Sequence, residues 1–121
     1  MRHLLVAIAV LVSIAHAASA ADEAPGEKVF KTQCRACHSP VAGKNMIGPT
    51  LFGVVGRKAA SLDNYNYSEA MKNFDGTWDP QTLDTYLTDP RVTVPNTKMI
   101  FPGLKDEKER QDVIAYLETL K

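Results

Sequence analysis

The stretch "KTQCRACHSP" holds the only two cysteines of the chain, Cys34 and Cys37, with His38 directly after the second. On a helix these three positions are i, i+3 and i+4, so their side chains leave from one face. Two thiols one turn apart can bond to two substituents on one edge of a flat macrocycle. The imidazole in the next position can then rise beneath the centre of that ring to hold a metal. Two intervening residues followed by histidine is the spacing of haem c attachment. Three other chemistries compete. A Cys34–Cys37 disulfide is possible in an oxidising compartment. A thioredoxin-like redox pair needs a βαβ context, and the chain shows no such pattern. A structural zinc needs four ligands, usually Cys and His, so here it would have to recruit a carboxylate. Haem attachment is favoured because the cysteines and this histidine fall within five residues.

Haem iron has two axial positions. His38 can fill one; the remaining choices are Met46, Met71, Met99 or an open site. Met46 lies close after His38, and Met71 sits on a short amphipathic segment where a core role is equally good. Met99 is favoured, because it stands in the proline-braced segment "VPNTKMIFPG", a rigid strap able to hold a thioether against a flat ring. Filling both positions leaves no room for a substrate such as O₂ and restricts the iron to one-electron chemistry. A soft thioether and burial both favour Fe(II) and raise the reduction potential.

The elements that must position these groups are helical. The chain has 121 residues, enough for one domain. Residues 1–20 read as a secretory signal peptide. Arg2 and His3 form a basic start, residues 4–14 are apolar but for Ser13, and "HAASA" ends in small residues. Eleven apolar residues are short of the roughly 20 that span a bilayer. Cleavage would leave residues 21–121 as the domain, outside the cytoplasm, and would make His38 its only histidine. Basic and acidic side chains balance at 14 each, so the excess of positive charge that nucleic-acid binding requires is missing. Periodicity predicts a helix from Gly26 through the cysteines towards Pro40, with Val29, Phe30 and Gln33 on one side, after a polar lead-in over residues 22–25. Residues 39–60 read as loop. Residues 67–74 suggest a short helix capped by Ser68. Asp79-Pro80 starts a helix that Pro90 ends, with Leu83, Tyr86 and Leu87 on one face. Residues 92–103 read as extended. A last helix opens at Asp106 with a capping box to Glu109, and carries Val113, Ile114, Leu117 and Leu120 in a stripe beside Tyr116. The expected class is all-α with much loop. So small a core would gain from an internal apolar cofactor.

Over residues 26–120 the sequence resembles class I cytochrome c, most of all its bacterial cytochrome c2 and mitochondrial cytochrome c branch. The resemblance rests on "CRACH", "GPTLFGVVGRK", "YNYSEAMKN", "TWDPQTLDTYLTDP", "VPNTKMIFPGL" and "RQDVIAYL". It implies a small fold wrapped around one covalent haem c, with thioethers at Cys34 and Cys37 and axial ligands His38 and Met99. The carbonyl of Pro49 would accept from His38. Arg57, Tyr67, Trp78 and Thr97 would hydrogen-bond or neutralise the haem propionates. Tyr86 would lie near Met99, Phe101 would cover the haem face, and Gly26, Phe30 and Tyr116 would form the crossing of first and last helices. The implied function is electron transport rather than enzymatic catalysis. A monomeric periplasmic carrier would take electrons from a bc1-type membrane complex and pass them to a photosynthetic reaction centre, a terminal oxidase or another periplasmic reductase. Mitochondrial members ring the haem edge with lysines. Here Gln33, Val92 and Asp106 stand at three of those positions while Arg91, Lys98 and Lys105 remain, so electrostatic steering should be weaker.

Overall fold

The first helix starts earlier than its apolar periodicity suggests. In the computed structural model, which describes residues 22–121, α1 runs Glu23–Gln33. The residues expected as a lead-in are its cap and first turn. Pro25 is no obstacle there, because a first-turn residue has no intrahelical partner for the N–H that proline lacks. The expected signal peptide lies outside the described residues. At its other end α1 stops before the cysteines. Cys34 to His38 continue as hydrogen-bonded turns, with Cys37 N–H and His38 N–H both donating to the Cys34 carbonyl at 3.1 and 3.0 Å. One-face geometry therefore survives without a continuous helix. Gln33, expected on the packed side, is exposed.

Four more helices follow: α2 Glu69–Lys72, α3 Pro80–Thr88, α4 Pro90–Thr93 and α5 Glu107–Glu118. Side-chain caps start all four. Ser68 accepts from Met71 N–H, Asp79 from Thr82, Asp89 from Arg91 and Asp106 from Glu109. Pro90 ends α3 as expected, but it also opens α4, since proline with an acidic cap before it suits a first turn as well as it blocks an interior. Val92 and Thr93 are thus helical, and the strap begins only at Val94. Among the described residues there is no strand, only one isolated antiparallel bridge between Lys58 and Thr77.

α1 packs on α5, and α3 packs on both α5 and α4. Phe30 of α1 meets Tyr116 of α5 at 5.3 Å between ring centroids. Val113, Ile114 and Leu117 are buried as their spacing predicts, with Leu120 and Tyr116 packed at the margin. Two charged residues of α5 are buried as well, which apolar periodicity could not indicate. Arg110 bonds Asp84 of α3 at 2.8 Å and the Leu104 and Lys105 carbonyls at 3.0 and 3.1 Å. Asp112 accepts from Lys108 and, at 2.9 Å, from the backbone N–H of Asp22, the residue that begins α1.

The crossing depends on Gly26, where a Cβ would collide with the Asp112 carbonyl and press on Tyr116 Cβ. Intrinsic propensity favours alanine over glycine in a helix by about 1 kcal/mol; overpacking opposes it by about 1–3 kcal/mol. Gly26→Ala should therefore lower the denaturant midpoint of the haem-bearing protein. Asp112 supplies a second check. Its carboxyl is held below the usual range by the Lys108 hydrogen bond first and the Asp22 N–H next. A depressed carboxylate contributes stability that is present above about pH 4 and lost as pH falls through the folded-state value. Asp112→Asn should accordingly unfold more easily than the unchanged protein at pH 7. In denaturant titrations at stepped pH that gap should close below about pH 4.

Candidate haem site

The thiols at the end of α1 are both free and half-buried. Burial, and secondarily the neighbouring Cys37, pushes the Cys34 thiol up to about 11. Among the described residues no group of three His, Cys, Asp or Glu side chains converges, so a zinc site built on these cysteines has no supporting ligands.

His38 is fixed from behind. Its Nδ1 lies 2.7 Å from the Pro49 carbonyl, an arrangement that puts the proton on Nδ1 and leaves Nε2 with a free lone pair. Burial lowers the imidazole pKa, and Arg57 lowers it further, against the raising effect of the Pro49 hydrogen bond. The ring is thus kept in the neutral form that a metal requires, and its carbonyl partner sets its orientation. The loop around it is knitted to itself. Gly48 N–H donates to the Cys37 carbonyl at 2.8 Å, Leu51 N–H to Ser39 at 2.9 Å, and Thr50 N–H to Asn45 Oδ1 at 2.9 Å. Gly48 lies so close that a Cβ there would overlap the imidazole ring.

A second cluster surrounds the strap. Met99 is half-buried, and its N–H donates to Thr97 Oγ1 at 3.3 Å. The Tyr86 hydroxyl reaches Met99 Sδ at 3.8 Å, as expected of these two residues. Burial raises the Tyr86 pKa, with a Thr97 hydrogen bond opposing it, so the phenol remains a donor near neutral pH. Phe101 is partly buried against the core.

Arg57, Trp78, Tyr67 and Thr97 are joined to these clusters unequally. Arg57 and Trp78 are backbone partners across the single bridge, with Trp78 N–H donating to the Arg57 carbonyl at 2.9 Å. Trp78 stacks on Phe74 at 5.3 Å and tilts against Tyr86 at 4.8 Å, which links Arg57 through two aromatic rings to Met99. Tyr67 accepts from Leu62 N–H at 3.4 Å and packs edge-on against Tyr65.

The residues fit a haem. The half-buried Arg57 guanidinium donates to the Thr50 and Phe52 carbonyls at 3.0 and 3.3 Å, yet no carboxylate pairs with it among the described residues. A buried cation satisfied by carbonyls alone still favours an anion nearby, which a haem carboxylate supplies. The donor set of neutral imidazole nitrogen and thioether sulfur suits iron. Apolar side chains flank both clusters: Met46 and Ile47 beside Gly48, and Ile100 beside Met99, the last 91 % exposed. Asn45, Gly48, Thr50 and Tyr65 also build the site. Gly48, Thr50 and Tyr65 lie in segments that carry the family resemblance, but no role was read for them, and Asn45 carried no signal.

Short helices strung on long loops, with two free thiols and a neutral imidazole where the first helix ends, define a small c-type haem protein. A family profile described as Cytochrome c matches residues 23–121, and the chain belongs to that family. Cytochrome c2 of Rhodomicrobium vannielii is 52% identical over 113 residues, covering 92% of this chain and 89% of the relative. The cytochrome c-type cyt cy of Rhodobacter capsulatus is 50% identical over 99 residues, 82% of this chain, but the chain spans only 49% of that longer protein. Among solved structures, cytochrome cH from Methylobacterium extorquens superposes with a TM-score of 0.76 at 50% identity, over 81% of this chain and 98% of the other. The all-α class is thereby established. So are a single covalently attached haem c and electron transfer in place of enzymatic turnover.

Because the Gly48 position is filled by the imidazole, Gly48→Ala must displace either the loop or His38. The haem-bearing variant should lose about 1–3 kcal/mol of stability, measured by guanidinium unfolding.

Proposed function

We propose that this chain is a soluble, monomeric, periplasmic one-electron carrier exported by a signal peptide over residues 1–20. Cys34 and Cys37 hold its haem by thioethers, and His38 and Met99 take the two axial positions. When bound, the haem supplies an Fe(III)/Fe(II) couple; the protein sets its potential and access. The observation that carries this reading is the pair of prepared donors. His38 is held neutral with Nε2 free by the Pro49 carbonyl at 2.7 Å, and Met99 is held by Thr97 and Tyr86. The Tyr86 hydroxyl withdraws electron density from the sulfur, which favours the reduced state. Arg57 does the same through its charge, and with Tyr67, Trp78 and Thr97 it is assigned to the haem carboxylates. Residues already placed by packing and hydrogen bonds need not rearrange when one electron enters or leaves, so little free energy is spent on reorganisation.

The partners assigned to this carrier are a bc1-type donor and, as acceptor, a reaction centre, a terminal oxidase or another periplasmic reductase; resemblance to the cytochrome c2 branch supports this choice. Gln33, Val92 and Asp106 are all exposed, as are Arg91, Lys98 and Lys105. The mixed surface supports weaker steering than a full lysine ring provides.

Protein expressed with haem-attachment machinery and purified from the periplasm should be red, with a mass equal to residues 21–121 plus one haem. The oxidised form should show the far-red methionine-to-iron band. Met99→Ala should abolish that band, convert the iron to high spin and lower the potential by an appreciable part of the roughly 0.8 V that axial ligands command. Colourless protein, or a Met99→Ala variant with unchanged potential and spin state, overturns the reading.

A further inference from the structure

The strap bearing Met99 is well tied on one side. Val94 N–H closes α4, Thr97 N–H returns to Val94, and Tyr86 of α3 reaches the sulfur. On its other side Ile100 is 91 % exposed, and among the described residues the hydrogen bond from the strap to another loop is made by Lys98. Its ammonium donates to the Asn66 carbonyl at 2.8 Å and stands 4.8 Å above the centre of the Tyr65 ring. Tyr65 itself turns the opposite way with its hydroxyl, which donates to the Ile47 carbonyl at 2.7 Å. Ile47 immediately precedes Gly48 and Pro49, the residues that shape and hold His38. A second tie runs parallel, from Asn45 Nδ2 to the Asn64 carbonyl at 2.9 Å. Tyr67 packs edge-on against Tyr65 at 4.8 Å and limits where that ring can go.

We propose that Tyr65 is a positioning residue, a clasp that joins the Met99 strap to the loop behind His38 and keeps the sulfur side of the site closed. This rests on the His38/Met99 ligation proposed above. The ring provides the platform for the Lys98 cation, and the hydroxyl anchors that platform to Ile47. Neither half suffices, because a platform free to move would not restrain the strap. Opening of the strap is the event that exposes the sixth position to outside ligands, and a ligand's apparent affinity scales with the fraction of molecules open. Loosening the clasp should therefore raise affinity for a small neutral ligand in proportion to the added open population.

The test is imidazole binding to the oxidised, haem-bearing protein at fixed neutral pH, followed by loss of the far-red methionine band. Tyr65→Phe removes the Ile47 bond and keeps the ring; it should tighten imidazole binding about 3- to 10-fold, the worth of one net hydrogen bond. Tyr65→Ala removes the platform too and should tighten it further. After Tyr65→Ala, Lys98→Ala should add less than it does alone, because the two share one interaction. Ile114→Val serves as the control, a core change of similar cost to overall stability on α5, whose helix partners are α1 and α3. It should leave imidazole affinity unchanged. Tyr65 variants that bind imidazole as the unchanged protein does, or no more tightly than Ile114→Val, overturn the clasp while the ligation stands. An unchanged protein that lacks the far-red band and binds imidazole as tightly as Met99→Ala overturns the ligation, and the clasp with it.

Discussion

The backbone of α1 lies against the backbone of α5 at Gly26, and the rest of the molecule takes its bearings from that contact. A side chain at this position would push the two helices apart at the Asp112 carbonyl. With it absent, Phe30 reaches Tyr116 and the angle between the helices is set. That angle decides where the end of α1 points, and the end of α1 carries Cys34, Cys37 and His38. The positions of the attachment groups are thus fixed by packing two turns away. Asp112 reinforces the arrangement by taking the Asp22 N–H, so α1 is capped by a residue of α5 rather than by its own neighbour.

Loops do most of the remaining work, and they can because their polar groups are satisfied locally. The segment behind His38 is held by backbone bonds to Cys37 and Ser39 and by Asn45 and Thr50 side chains. The strap bearing Met99 is held by Thr97, Tyr86 and Lys98. Irregular backbone stabilised in this way can bring donors from distant parts of the chain to a site without a sheet to carry them. It also makes the site dependent on single side chains, each worth only about one hydrogen bond. Stability and function are therefore coupled more closely than in a protein whose site sits on regular elements.

Electrostatics follows the same division. Inside, burial keeps His38 neutral, which suits ligation, and pushes the Cys34 thiol up. Arg57 is a half-buried cation whose charge is felt by His38 and which, among the described residues, meets carbonyl dipoles and no carboxylate, unlike the buried Arg110 paired with Asp84. Outside, acids and bases are interspersed with bare apolar side chains such as Val92 and Ile100.

Local chemistry was legible in the order of residues. Cys34, Cys37 and His38 announce attachment because spacing of three and four is a covalent property of the chain. The caps at Ser68, Asp79 and Asp106 were readable because a cap and its helix are neighbours in sequence. The stripe of α5 followed from its period. The start of α1, the second role of Pro90 and the burial of Arg110 and Asp112 were not readable. Arg110 and Asp112 depend on Asp84 and Asp22, and the start of α1 on Asp112, partners far along the chain that periodicity does not see. Pro90 opens α4 through the adjacent Asp89 cap, a role its reading as a stop signal masked. Pro49 and Tyr86 were assigned from family resemblance, and their contacts with His38 and Met99 exist only once the loops have closed. Thr97, assigned by the same resemblance to the haem propionates, meets the Met99 N–H two residues on. The sequence alone thus determined which groups can react and where the self-capped helices α2, α3 and α5 begin. Tertiary structure decided which of them meet, because a hydrogen bond between distant loops is set by how the intervening helices pack.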